Sequence, residues 1–403
     1  MLNIGLLGLG TVGQGVVEII SKRKKELEEL LNKKIRIKKI LVKNMDKKRN
    51  IILPEDILTD NFNDIIEDDE IQLIIEATSS LGEGYRYVKE GLERGKHVVT
   101  ANKAIVSRYF EELTALALEN RVAFLYEASV AGGIPILKPL KEHIPLNRIN
   151  EIQGILNGTC NYILTKMFED DLDYDEALKI AQDLGYAESD PVADVEGYDT
   201  LRKLRILSSL GLQRKILEDD ILLEGIDNIK SFDIEQIKKL NSVIKLIGEA
   251  KHYEDGYVAI VLPTIVAKDT YFSTINGAFN SISFKGDNVG ELKFYGPGAG
   301  KLPTANAILT DVLDIGLNTY RNKNLLGKKR LKNYNYSMKG RFYLRIPKMD
   351  WKVERGLEEI TEEILGQNKY IGIKTKEIEL ERIYGIIRTL NIKKKEYFLG
   401  RFL

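Results

Sequence analysis

The chain holds one cysteine, Cys160, among 403 residues. A single thiol forms no internal disulfide, which fits a reducing compartment. Histidine is nearly as scarce: only His97, His143 and His252. None stands in a recognisable partner motif, so Cys160 lacks the base a nucleophilic thiol needs and reads as structural. His97, in an expected strand, reads as a packed core residue. Net charge is absent, with 60 basic against 60 acidic residues, so no global field points to nucleic acid or an anionic membrane. No apolar run is long enough to span a bilayer. The apolar start MLNIGLLGLGTVGQGVVEII lacks a basic leader and a small-residue cleavage site, and glycines interrupt it, so it does not read as a signal peptide. Gln, Cys and Met are sparse while Lys, Glu and Ile are abundant, a bias of proteins from hot environments.

What is present is a globular composition, 43% hydrophobic and 30% charged, in a chain long enough for two or three domains. A cytoplasmic protein is expected. Strands are expected at Asn3 to Leu7, Ile35 to Val42 and Ile71 to Thr78, then at HVVTA and VAFLYEAS. Helices are expected between them, at about Val12 to Asn32, Tyr85 to Arg94 and Arg108 to Asn120. This alternation over roughly the first 130 residues predicts an α/β fold with a doubly wound parallel sheet. The middle is mixed. INEIQGILNG, VAIVLPTIVA, ISFKGDNV and LKFYGPGAG read as strands and turns. Asp173 to Leu184 reads as a helix stopped by Gly185. An antiparallel sheet covered by helices fits, and one more helix starts at about Thr304. From Arg321 basic residues outnumber acidic ones, and RFYLRI, VERGLEEITEEIL, YIGIKT, EIELERIYGIIRTL and EYFLGRF read as β-α-β-α-β.

Gly8-Leu9-Gly10-Thr11-Val12-Gly13 is G-x-G-x-x-G between the first strand and the first helix. In that setting glycines permit a tight turn and close approach of a pyrophosphate, which the helix N-terminus attracts. The second strand ends Val42-Lys43-Asn44 with no carboxylate for a ribose 2′-hydroxyl. Lys43 suits a 2′-phosphate, so NADP is favoured over NAD. Thr78-Ser79 closes the next strand, where hydroxyls suit the nicotinamide ribose, and Lys103 follows the strand after that. The carboxyl ends of such strands bind ligands, which makes Lys103 a pocket candidate. In EGYDTLRKLRILSSL, Asp199 and Lys203 lie four apart on one helical face. The pair is either an ordinary solvated ion pair or a proton-handling pair aimed into a pocket.

GLLGLGTVGQGV, VVTANKA, YEASVAGGIPI, QGILNGTCNYIL, LGYAESDPVADVEGYDTLRKL and GPGAGKLPTA occur in the order and spacing of homoserine dehydrogenases. The chain resembles that family from about Asn3 to Tyr320. The resemblance implies reversible oxidation of L-homoserine to L-aspartate 4-semialdehyde with NAD or NADP. The reductive direction leads toward threonine, methionine and isoleucine. It implies that Lys203 gives and takes the proton and that Glu188 and Asp199 bind substrate. A lysine can exchange that proton if burial or a second cation lowers its pKa; Lys103, if it faces the same pocket, could be that cation and polarise the carbonyl. Asp199 would hold Lys203 in place while its charge favours the ammonium. The resemblance also places Gly185 and Gly298 near the cofactor. It implies a monovalent cation, sodium, held by Glu127 and the backbone carbonyls of Val130, Gly132 and Ile134. It implies a homodimer formed through the middle sheet.

The tail resembles a shortened ACT regulatory domain, with threonine as the implied effector. Its first loop reads PKMDWKVERG where that module has an acidic residue before Pro-Gly, and the hairpin strand before the second helix is missing from the reading. Effector binding and simple assembly therefore both stand open. The expected organisation is a Rossmann-type dinucleotide domain at 1–133 and an α+β substrate and dimerisation domain at 134–303. A helix at 304–320 returns to the nucleotide domain, and the ACT-like tail fills 321–403. No aspartokinase-like segment precedes the first strand, so a fused bifunctional form is not expected. Two other readings compete. One is a semialdehyde- or glyceraldehyde-phosphate-type dehydrogenase, which needs a catalytic cysteine. The other is a catalytically inactive nucleotide sensor on the same fold, which the intact Glu188, Asp199 and Lys203 argue against.

Overall fold

The computed structural model describes residues 1–49, 51–54, 56–320, 326–327, 331–348 and 357–403. They form two compact units, Met1–Glu142 with Gly296–Gly327, and His143–Tyr295 with Lys328–Leu403.

In the first unit six strands pair in parallel: β1 Leu2–Leu7, β2 Ile35–Leu41, β3 Leu58–Thr59, β4 Leu73–Glu76, β5 His97–Thr100 and β6 Phe124–Leu125. Their order is β3-β2-β1-β4-β5-β6, so the chain reverses direction of travel between β1 and β4. β1 and β4 are buried along their whole length, as continuous apolar runs covered on both faces must be. The expected first helix is two, Thr11–Lys22 and Lys24–Leu31, broken at Arg23. VAFLYEAS pairs as a strand for only two residues before the turn of helix Ala128–Ala131 begins. The helix Lys301–Gly316 packs on Thr11–Lys22 and places Ala305, Ile308 and Val312 in this core. A side chain at Gly15 would meet the Lys301 carbonyl at 2.6 Å, so the two helices touch backbone to side.

The second unit is built on one large sheet. Nine strands lie in a row: β7 Ile149–Ile155, β8 Ser242–His252, β9 Gly256–Ala267, β10 Phe279–Gly286, β11 Gly290–Pro297, β12 Phe342–Pro347, β13 Thr361–Gln367, β14 Tyr370–Thr375 and β15 Phe398–Phe402. Their order is β11-β10-β7-β8-β9-β15-β12-β14-β13. The central strand β8 is absent from the sequence reading because Lys245, Glu249 and Lys251 interrupt its apolar pattern. It pairs with β9 from Ser242 to His252.

The tail thus does not stand apart. β15 pairs with β9, Thr264 opposite Arg401, and carries the tail strands into the same sheet. The expected helix VERGLEEITEEIL is corrected in its second half: Leu357 and Glu358 are helical, but Thr361–Gln367 is an edge strand, antiparallel to β14. Glu and Leu favour a helix in isolation, but pairing with β14 overrides that preference. The hairpin that seemed missing is therefore β13-β14. Residues 349–356, with most of the PKMDWKVERG loop, lie outside the described residues. Among the described residues no helix is long and apolar enough to cross a membrane.

Two buried charges anchor this unit. Arg345 on β12 donates its Nε to both oxygens of Asp233 at 3.2 Å, its Nη2 to the Asn228 carbonyl at 2.6 Å and its Nη1 to the Glu396 carbonyl at 3.1 Å. Asp233 also accepts from the Tyr343 hydroxyl at 2.8 Å. Lys245 donates to the carbonyl of Ile275 at 2.5 Å and to the Asn161 and Asn276 amide oxygens at 3.1 Å.

Asp233→Ala would leave the Arg345 guanidinium buried without a counter-charge. A loss of about 3–5 kcal/mol in chemical denaturation is expected; a loss below about 1 kcal/mol, typical of a surface pair, would show that the pair is no clamp. Lys245 gives a pH test. Burial lowers its ammonium to about 8, against about 10.4 in an unfolded chain. Below 8 both states are charged and the burial penalty is complete. Between those values the unfolded chain binds more protons, so the stability contribution at this position rises with pH. The unfolding free energy of the wild type relative to Lys245→Met should climb across that window, and a flat difference would contradict the account.

Candidate functional site

In the first unit the turn after β1 distributes its glycines by role. Gly8 has φ +94, and a Cβ there would lie 2.7 Å from the Ala77 carbonyl. A Cβ on Gly13 would lie 2.1 Å from the Gly8 carbonyl. Gly10 has open space instead, and it caps Thr11–Lys22 without a side-chain hydrogen bond. Crowding at two glycines and clearance at the third is what a turn needs if a pyrophosphate is to rest on the first amides of the helix, those of Thr11, Val12 and Gly13 with Leu9 beside them. The residues therefore fit a dinucleotide.

Lys43, just past β2, is exposed and pairs with Glu83 at 2.5 Å. Glu83 sits in the first turn of helix Leu81–Glu93, which Ser80 caps. Its charge raises the Lys43 pKa, and Lys43 lowers that of Glu83.

Thr78 and Lys103 are tied together by residues that sequence reasoning passed over. Glu76, the last residue of β4, is fully buried. It accepts from the Thr78 hydroxyl and the Thr100 hydroxyl, each at 2.5 Å. Burial raises its pKa against those bonds. Asn102 caps the helix Lys103–Glu119 and donates to the carbonyls of Thr78 and Ser80. Lys103 is thus the first residue of a helix whose start is fastened to the β4 turn; Ser79 is exposed there.

The loop expected to hold a cation lies in the same unit. The buried Glu127 carboxylate accepts the amides of Ile136 at 2.6 Å and of Leu137 and Lys138 at 2.8 Å. Its own amide donates to Asp311 at 2.9 Å. Burial, and then the Glu127 charge, push the Asp311 carboxyl up to about 8. Burial raises Glu127 as well. Val130 and Ile134 are buried, and Gly132 has φ +56. A Cβ on Gly132 would strike the Gly298 carbonyl at 2.4 Å, so Gly298 is packed against this loop. Among the described residues no three His, Cys, Asp or Glu side chains cluster to hold a metal ion; a cation here would rest on backbone oxygens.

The second unit holds Asp199 and Lys203. Lys203 Nζ lies 2.7 Å from Asp199 Oδ2 and donates to the Leu156 carbonyl at 2.7 Å. Asp199 is 2% and Lys203 8% exposed, so this is no solvated surface pair. Both project from helix Tyr198–Gly211, which starts after Gly197. Asn157 supplies the frame. Its side chain donates to Asp199 at 2.8 Å and to Asp194 at 2.7 Å, and its oxygen caps helix Gly158–Glu169. An Asn at a strand end before Gly-Thr was a visible cap signal. Glu188 is exposed, on a loop held by Thr159 to the Tyr186 carbonyl and by Gln182 to its own carbonyl. Gly185, φ +76, ends helix Tyr174–Asp183. Cys160 is fully buried, donates to the Asp194 carbonyl, and is pushed well up by burial. It stays a thiol, which removes the thioester chemistry of the competing dehydrogenases.

Two family models match in succession: "Homoserine dehydrogenase, NAD binding domain" over residues 8–127 and "Homoserine dehydrogenase" over residues 135–313. The homoserine dehydrogenase of Bacillus subtilis is 43% identical over 314 residues, 78% of this chain and 72% of that one. That of Synechocystis is 42% identical over 318 residues, covering 78% and 73%. Among solved structures, a homoserine dehydrogenase from Thiobacillus denitrificans superposes with a TM-score of 0.90 at 31% identity, over 100% of this chain and 98% of that chain. The S. aureus enzyme at pH 6.0 gives 0.78 at 33%, with the same coverage. The glycine turn lies in one matched stretch and the buried Lys203–Asp199 pair in the other, so by sequence, fold and chemistry this NAD-binding oxidoreductase belongs to the homoserine dehydrogenase family.

Proposed function

We propose that Lys203 is the proton carrier of the homoserine dehydrogenase reaction. The observation that carries this reading is its burial against Asp199 and the Leu156 carbonyl. In the oxidative direction neutral Lys203 takes the hydroxyl proton of L-homoserine. In reduction its ammonium returns a proton to the aldehyde oxygen of L-aspartate 4-semialdehyde. The nicotinamide, when bound, accepts or supplies the hydride. Asp199 and Glu188 receive the substrate ammonium, and Asp199 also orients Lys203. Lys103 is the second lysine, polarising the carbonyl. The turn Gly8 to Gly13 holds the pyrophosphate, with Thr78 and Ser79 at the nicotinamide ribose and Gly185 and Gly298 lining the cofactor.

The cofactor is read as NADP, because Val42-Lys43-Asn44 at the end of β2 offers a lysine and no carboxylate of its own; the Glu83 that pairs with Lys43 comes from helix Leu81–Glu93. A sodium ion is assigned to Glu127 and the carbonyls of Val130, Gly132 and Ile134, in a structural role. The chain is read as a cytoplasmic homodimer, paired through the sheet of the second unit. Its tail is read as ACT-like, with threonine as the effector to test.

Lys203→Ala should lower kcat by about 10²–10⁴-fold while nucleotide affinity, read by fluorescence titration, stays level. Full activity in the variant would remove the role. For the cofactor, homoserine-dependent reduction of NADP and NAD is compared in the wild type and Lys43→Ala. The KM for NADP should rise by about tenfold or more, as loss of one charge-assisted bond predicts, with the KM for NAD steady. Equal changes in both would remove the 2′-phosphate reading.

A further inference from the structure

The segment Asp220–Ile226 runs between the tail and the helix that carries Asp199 and Lys203. Leu222 and Leu223 pair with Ile260 and Val261 of β9, and the Glu224 amide continues the ladder to the Val261 carbonyl. In extended backbone successive side chains point to opposite faces, and here the two faces meet different partners.

On one face lies the tail. Leu222 joins the tail core with Phe342, Leu344 and Ile383. The Glu224 carboxylate, 9% exposed, accepts two phenol hydroxyls on one oxygen, Tyr384 at 2.7 Å and Tyr397 at 2.8 Å. The Asp220 carbonyl accepts the side-chain amides of Asn333 and Asn335 at 2.7 and 2.8 Å. Burial and the Glu224 charge push both phenols up, so they remain donors.

On the other face lies the start of the Lys203 helix. A Cβ on Gly197 would come within 2.7 Å of Leu223 Cδ1. A Cβ on Gly225 would sit 2.4 Å from the Val195 carbonyl and 2.6 Å from Glu196 Cα. The Ile226 amide donates to the Val195 carbonyl at 2.7 Å. Asp199 follows Gly197 by two residues. These contacts leave no slack, since close-packed interiors transmit displacement.

We infer that the C-terminal tail positions the Asp199/Lys203 helix through this strap, and that Tyr384 and Tyr397 are positioning residues for the homoserine reaction. The strap's backbone is fastened to β9 at Leu222–Glu224 and to Val195 at Ile226, while the tail holds it at the Glu224 carboxylate and the Asp220 carbonyl; the hold on Glu224 therefore sets how Leu223 and Gly225 press between those fixed points. Loosening that hold lets Gly197 and the first helical turn shift. Reacting groups placed a fraction of an ångström off lose rate steeply. The inference rests on Lys203 carrying the proton.

The test uses the full chain with Tyr384→Phe/Tyr397→Phe, and Glu224→Gln as a milder change that keeps one acceptor. Homoserine kcat and KM, NADP affinity and melting temperature are measured for each. The double variant should lose on the order of tenfold in kcat or gain it in homoserine KM, with NADP affinity unchanged because the glycine turn belongs to the other unit. Glu224→Gln should lose less. A lower melting temperature with kcat and homoserine KM intact would make the tyrosines purely structural and overturn the inference. So would an equal loss of NADP affinity. Should the double variant fail to fold, the two single Tyr→Phe variants are read by the same criteria. Lys203→Ala, assayed beside them, separates the two readings. If it keeps turnover, the role of Lys203 falls; if it is inactive while the tyrosine variants are unaffected, only the strap falls.

Discussion

The ammonium of Lys203 is out of water, and its surroundings are arranged to answer that charge. Burying an ion costs several kcal/mol unless a counter-ion and hydrogen bonds replace its hydration. Asp199 supplies the counter-ion and the Leu156 carbonyl a second acceptor. Each of these then needs a frame. Asn157 donates to Asp199 and Asp194 while capping helix Gly158–Glu169. The buried Asn280 on β10 donates to the same Leu156 carbonyl at 2.8 Å. One ion pair therefore constrains the end of β7, the start of two helices and a strand on the far side of β7.

Much of this was legible where physics is local. The G-x-G-x-x-G turn declares itself, because a tight turn and a close packing contact both exclude side chains. The i,i+4 spacing of Asp199 and Lys203 places them on one face, and the capped start and Gly185 end of Tyr174–Asp183 are local signals too. Burial of the pair was not legible, because spacing is the same for a solvated ion pair. Nor were Glu76, Asn157 and Asp311 singled out. Each is an isolated polar residue whose meaning comes from partners 24 to 184 positions away.

The tail shows the same limit at the level of the fold. A shift toward basic composition suggested a separate module. The pairing of Thr264 with Arg401 is a contact between distant strands, and nothing near either residue announces it. Thr361–Gln367 carries two glutamates and a leucine, which favour a helix, yet it lies at the edge of the sheet with β14 as its partner. An edge strand with charged, exposed side chains is also protected from pairing with another chain. Its unhelpful pattern and its position are consequences of one another.

On the proposed reading, cofactor choice is a competition at Lys43. The Lys43–Glu83 pair is exposed, with side chains 77% and 46% accessible, so water and salt screen it and it is a weak contact. A 2′-phosphate offers more than one negative charge and several acceptor oxygens, which makes it the stronger partner for the lysine. NAD offers a hydroxyl there, which gives Lys43 no reason to leave Glu83. The proposed preference for NADP is therefore the difference between a charge-assisted bond and the weak surface pair it displaces. Salt screens exposed charges, so that preference shrinks as ionic strength rises, while the buried Lys203–Asp199 contact is screened far less.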